Sequence, residues 1–99
     1  MEILLKTIRT FADRDTEDFF FEKRRIKRWE KITKKASKVL SVLNSITKLN
    51  ELEFAFNAHL HKLHGDREGK YSIRINPQYR VCFVWHKGHA YEVESTDYH

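Results

Sequence analysis

Three short stretches of the chain gather side chains that can move protons or hold an anion. His59, His61 and His64 come just before Gly65-Asp66. Their imidazoles titrate near neutral pH and are able to ligate zinc, copper or nickel. The H-x-H-x-x-H spacing matches no common zinc signature, and no thiolate pair accompanies it. Neither a metal nor another cofactor is therefore expected. Asp97-Tyr98-His99 sets a carboxylate, a phenol and an imidazole side by side at the end of the chain. Chain ends usually fray and carry nothing, but a preceding strand could hold this one against a sheet. Arg74 and Arg80 lie between the two groups. With a guanidinium on the phosphate, such groups suffice to cleave RNA without a metal. The 2′-hydroxyl attacks its own phosphate, a base takes its proton, an acid protonates the leaving oxygen, and cations stabilise the added charge.

Whether these groups meet depends on the elements that carry them. Tyr71, Ile73 and Ile75 alternate with Ser72, Arg74 and Asn76, and Tyr79, Val81, Phe83 and Trp85 alternate with Arg80, Cys82 and Val84. Period-two patterns of this kind predict strands with one buried face. Asn76-Pro77-Gln78 and Lys87-Gly88 read as turns. A three-residue first loop sets Ile73 opposite Val81 and Arg74 opposite Arg80, and a slip of one residue would mix the faces. The two arginines then oppose each other on the face away from the core. Like charges so placed destabilise a strand pair. Either a bound anion offsets the repulsion or both side chains splay into water. A last strand over about residues 89–94 would carry the tail towards Arg80.

The N-terminal half changes period. Residues 3–11 are apolar and β-branched enough for an edge strand. Asp13 or Asp15 can cap a helix that carries Glu17 and Asp18 in its first turn and the run Phe19, Phe20, Phe21. Trp29, Ile32, Ala36, Val39, Leu40, Leu43 and Ile46 keep steps of three and four, the apolar stripe of a second, longer helix. Lys31, Lys34, Lys35 and Lys38 fall off that stripe. The expected architecture is α+β over residues 1–99 as a single domain: an N-terminal strand and two helices packed on one face of an antiparallel sheet of three to five strands.

Charge narrows the partners. Nineteen Lys and Arg against fourteen acids give +5 with histidines neutral. Residues 23–38 hold nine of those bases and one acid, Glu30. Such a block binds polyanions without sequence preference, or is simply a solvated helix face. One cysteine, Cys82, allows no internal disulfide and suits a reducing cytoplasm. No apolar run approaches the roughly 20 residues a transmembrane helix needs, and the first residues lack the long apolar region of a signal peptide. A cytoplasmic protein without membrane association is expected.

Residues 63–99, LHGDREGKYSIRINPQYRVCFVWHKGHAYEVESTDYH, closely resemble HigB-type toxins of the RelE/ParE superfamily, also called the plasmid maintenance system killer family. The resemblance rests on the L-x-G-D-x-x-G turn, then S-I-R-I-N, Q-Y-R, F-x-W and the terminal D-Y-H. It extends more loosely to the N-terminal T-x-x-F-F pattern and the amphipathic helix. It implies a RelE-like fold and an mRNA interferase, an endoribonuclease that enters the A site of the 70S ribosome, cuts mRNA without a metal and so inhibits translation. It also implies a HigA-type helix-turn-helix antitoxin in a heteromeric complex. Carried over by position, His61, Asp97, Tyr98 and His99 form the catalytic set, with either histidine as base or acid. Arg80 is then the expected phosphate ligand; from the register and the charge block, Arg74 and His64 are further candidates for phosphate or RNA, and Lys31, Lys34, Lys35 and Lys38 for ribosome contact. Two departures stand out. His64 replaces the lysine many relatives carry before Gly-Asp, and residues 55–59 lack the family's proline-glycine loop. ParE-like toxins of the same fold poison gyrase instead, and a non-catalytic RNA-binding module is a third reading. The terminal D-Y-H favours cleavage over both.

Overall fold

The alternating C-terminal segments build an antiparallel sheet in simple meander order. The computed structural model describes residues 5–56, 59–63 and 69–97. Its strands are β1 (Leu60–Lys62), β2 (Lys70–Arg74), β3 (Tyr79–His86) and β4 (His89–Asp97), hydrogen-bonded in that order. Ile73 pairs with Val81 and Arg74 with Arg80, the register expected from the hydrophobic pattern. Asn76 explains why the connection is tight. Its Oδ1 accepts the backbone N–H groups of Gln78 at 2.8 Å and Tyr79 at 2.7 Å, a side chain imitating a turn carbonyl. The β3–β4 turn places both central residues at positive φ, Lys87 at 46° and Gly88 at 82°. That is the pattern of a two-residue hairpin whose twist matches its strands.

Strand β4 runs three residues beyond the expected end and contains a bulge. Cys82 pairs with Glu94 and Val84 with Tyr91, so β4 has one residue more than β3 between these pairs. Glu92 takes up the excess at φ 52°, and its N–H is held by Thr10 Oγ1 at 2.8 Å. Ala90 and Val93, three residues apart, are consequently both fully buried. A regular strand would turn one of them to the other face.

The helices are α1 (Arg14–Glu22), α2 (Thr33–Ser45) and α3 (Asn50–Phe56). Asp13 caps α1, its carboxylate accepting from Thr16 N at 3.1 Å. The long second helix expected from Trp29 onward is broken. Trp29 ends a 3₁₀ turn, Lys27–Trp29, and α2 begins at Thr33. Every residue of the apolar stripe is nonetheless buried, because a tighter turn aligns positions three apart as well as an α-helix does. The stripe packs with Ile73, Val81, Phe83, Ala90 and Val93 in one core. Each such aliphatic side chain stabilises the fold by roughly 1.5–3 kcal/mol. The short helix α3 and strand β1 were not expected.

Residues 5–12 form no strand of their own but cover the β4 edge. Ile8 bridges Ala90 and Phe11 bridges Val93, both in parallel. Further along, Ser95 N donates to Thr16 Oγ1 at 3.0 Å, so α1 takes over where the N-terminal segment leaves. The segment is anchored from behind. Asn44, buried near the end of α2, accepts the N–H groups of Lys6, Thr7 and Ile8 through its side-chain oxygen.

Candidate active site

With the helices on one face, the alternation of each strand sends a second set of side chains to the other. His61, Ser72, Cys82 and Glu94 are paired across all four strands and share one row of that outer face. Arg74, Arg80 and Thr96 form the next row. The sheet thus carries His61 from β1 and both arginines to a single surface.

The opposed arginines are not equivalent. Arg80 is half-buried and donates from Nη1 to Ser72 Oγ at 3.2 Å. Ser72 itself is fully buried although it points away from the core. Arg74 is exposed, and among the described residues its side chain has no hydrogen-bond or ion-pair partner. One guanidinium is oriented by the sheet and the other is exposed to solvent. The Ser72 bond and the exposure of Arg74 leave both positive charges on the outer face, where like charges on paired strands favour a bound anion.

Asp97 sits at the end of β4 opposite Tyr79, beside the Asn76 turn. Gln78 Nε2 donates to its Oδ2 at 3.1 Å. The tail therefore reaches the level of Arg80, whose partner is Thr96. His61 and Asp97 lie on opposite edge strands. Three strand spacings of about 4.8 Å separate their backbones by roughly 14 Å across the sheet, with about 10 Å more along it, and Asp97, paired with Tyr79, has the phase of the core face rather than that of His61. His64, Tyr98 and His99 lie outside the described residues. His59 immediately precedes β1 and is exposed.

Lys31, Lys34, Lys35 and Lys38 are exposed on the solvent side of the helical layer. Since α2 packs on the core face, they lie on the surface opposite Arg74 and Arg80. The described ion pairs use arginines and no lysine: Arg24 meets Asp15 and Asp18, Arg28 meets Asp15 at 2.6 Å, Arg25 meets Glu30, and Arg14 meets Asp18. The hydrogen bond from Arg28, with the positive charges of Arg28 and Arg24, holds the Asp15 carboxyl below its ordinary value. Part of the basic block is thereby internally neutralised, and the lysines keep their charge for solvent or a partner.

Ser72, Gln78 and Glu94 are site neighbours that sequence reasoning passed over. Ser72 and Glu94 could have been found by continuing the β2–β3 register across all four strands. Gln78 carried no signal beyond its place in a turn.

Residues 9–99 match a family described as HigB-like toxin, RelE-like toxin of type II toxin-antitoxin system HigB. One curated relative, endoribonuclease HigB of Proteus vulgaris, is 36% identical over 63 residues. The aligned part spans 61% of this chain and 64% of the relative's length. Among solved structures, the YoeB dimer from Staphylococcus aureus matches with a TM-score of 0.55 at 22% identity, over 97% of this chain and 99% of that one. This last likeness concerns the fold, an α+β architecture of the RelE-like kind.

Proposed function

The chain belongs to the HigB-like toxin family, and from that premise we propose that it is an endoribonuclease that cuts mRNA on the ribosome without a metal, in the bacterial cytoplasm, until a HigA-type antitoxin binds and silences it. The observation that carries the reading is the outer face itself. Arg80, oriented by Ser72, shares that face with His61 from one edge strand, and the other edge strand ends at Asp97, one residue past Thr96, the partner of Arg80.

In this reading the scissile phosphate sits between Arg80 and Arg74. The 2′-oxygen attacks phosphorus and the bond to the 5′-oxygen breaks, leaving a cyclic phosphate and a free 5′-hydroxyl. One of His61 and His99 takes the 2′-proton and the other delivers a proton to the 5′-oxygen. Asp97, kept in place by Gln78, orients a histidine or contacts a base, and Tyr98 stacks on the nucleotide. The guanidinium charges meet the negative charge that develops on the phosphate oxygens. Among the described residues no helix is long and apolar enough to cross a membrane.

The test is to induce the chain alone in a bacterial cell and map new 5′ ends on translated messages. Cuts in frame within codons are expected, and His61→Ala or His99→Ala should each lower them by roughly 10²- to 10⁴-fold, the usual contribution of a positioned acid or base. Undiminished cutting by the double variant would remove the site assignment. Growth arrest without new ends would replace the nuclease reading with a gyrase poison.

A further inference from the structure

The outer face continues past the arginines into a patch that the cleavage chemistry does not use. Val84 lies on this face, four residues along β3 from Arg80, and pairs with Lys70 on one side and Tyr91 on the other. His86 follows two residues on, and its ring meets that of Tyr91 edge to face with centroids 6.4 Å apart. Thr10, Val84, His86, Tyr91 and Glu92 line a shallow depression open to solvent. Its apolar character owes nothing to the core, which lies on the other side of the sheet. Tyr91 faces outward in step with Glu94 only because of the bulge at Glu92.

We propose that this depression is a nucleobase subsite, in which a base of the bound RNA stacks on the Tyr91–His86 pair. The inference rests on the cleavage reading, because it places the base on the same strand whose phosphate meets Arg80. From Arg80 to Val84 is roughly 13 Å of strand, a stretch that extended single-stranded RNA covers in about two nucleotides. Lys70, level with Val84, is placed to meet the intervening backbone. Glu92 on the rim decides which part of the nucleotide enters. Its carboxylate repels a phosphate but accepts from the N–H groups on a base edge. Stacking tolerates any base, so the subsite adds grip and fixes the distance between cut and contact.

The test uses the full chain on ribosomes programmed with a short message, 2′-O-methylated in the A-site codon so that the attacking hydroxyl is absent, carrying 5-iodouridine at one position at a time. Irradiation should crosslink Tyr91 or His86 when the iodouridine lies about two nucleotides from the cut linkage, and not when it lies at that linkage. Tyr91→Ala should weaken binding roughly 5- to 100-fold, with Tyr91→Phe within about twofold of the parent. Absence of a crosslink to either ring at every position, from ribosomes to which the chain is bound, overturns the subsite. Loss of antitoxin affinity in Tyr91→Ala with unchanged RNA binding also overturns it and gives the patch to a protein. Crosslinking at Tyr91 that persists while His61→Ala cuts normally would instead fault the catalytic assignment and leave the subsite standing.

Discussion

Replacing Asn44 by alanine should loosen the sheet edge that carries the tail of the site. Its Oδ1 accepts Lys6 N at 2.9 Å, Thr7 N at 3.2 Å and Ile8 N at 3.1 Å. The three losses are unequal. Lys6 is exposed and its N–H recovers water. Thr7 N also reaches the Asn44 backbone carbonyl at 3.2 Å, a bond the substitution leaves in place. Ile8 is fully buried, and its N–H is stranded. One orphaned buried donor costs about 1–3 kcal/mol and one exchanged bond about 1 kcal/mol, so the sum is about 2–4 kcal/mol. For a domain of this size that lowers Tm by roughly 10–25 °C. Urea titration followed by tryptophan fluorescence measures the loss. Amide exchange locates it, with Arg9 and Ala12, which donate to β4 carbonyls, exchanging earlier than the β2–β3 amides. A loss under about 0.5 kcal/mol, or unchanged exchange at Arg9 and Ala12, would refute the latch.

Two further outcomes follow from the charged surfaces. Asp15 is held below its ordinary value by Arg28 and Arg24, so its contribution to stability is present above the unfolded carboxylate value near about pH 4 and is lost as pH falls through the folded one. Asp15→Asn should therefore flatten the decline of Tm on acidification below about pH 5, and an identical acid profile would exclude the role. Changing Lys31, Lys34 and Lys35 together to Glu should leave folding intact and reduce cosedimentation with ribosomes at physiological salt. Equal cosedimentation would retire the helical face as a contact.

The sheet was the most legible part of the molecule. Alternation from Tyr71 to Trp85, joined by a three-residue loop at Asn76, sets the register that keeps Ile73, Val81 and Phe83 together and puts Arg74 against Arg80. Asn76 and Gly88 marked their turns by chemistry that few other residues supply. The break between Trp29 and Thr33 was hidden because 3₁₀ and α turns satisfy the same spacing of three and four. Helix α3 has seven residues and β1 three, too few for a period to show. The bulge is silent for a different reason. Tyr91, Val93 and Ser95 alternate with Glu92 and Glu94 as a regular strand would, and only burial of both Ala90 and Val93 reveals the extra residue. In the site, the sequence named His61, Arg80 and Asp97, but the hold of Ser72 on Arg80 and of Gln78 on Asp97 depends on neighbours that only register creates.

The bulge at Glu92 makes β4 sensitive to length as well as to composition. On one side of it the strand is phased by Ala90 in the core, on the other by Val93 and Ser95, and the two phases agree only with the surplus residue present. Deleting one residue from β4, even an exposed one, would turn the segment bearing Asp97 inside out while leaving every substitution-sensitive contact nominally available. Homologous chains that keep this site are thus expected to preserve the number of residues between the hairpin and the tail, so gaps rather than mismatches along β4 would mark the loss of the site.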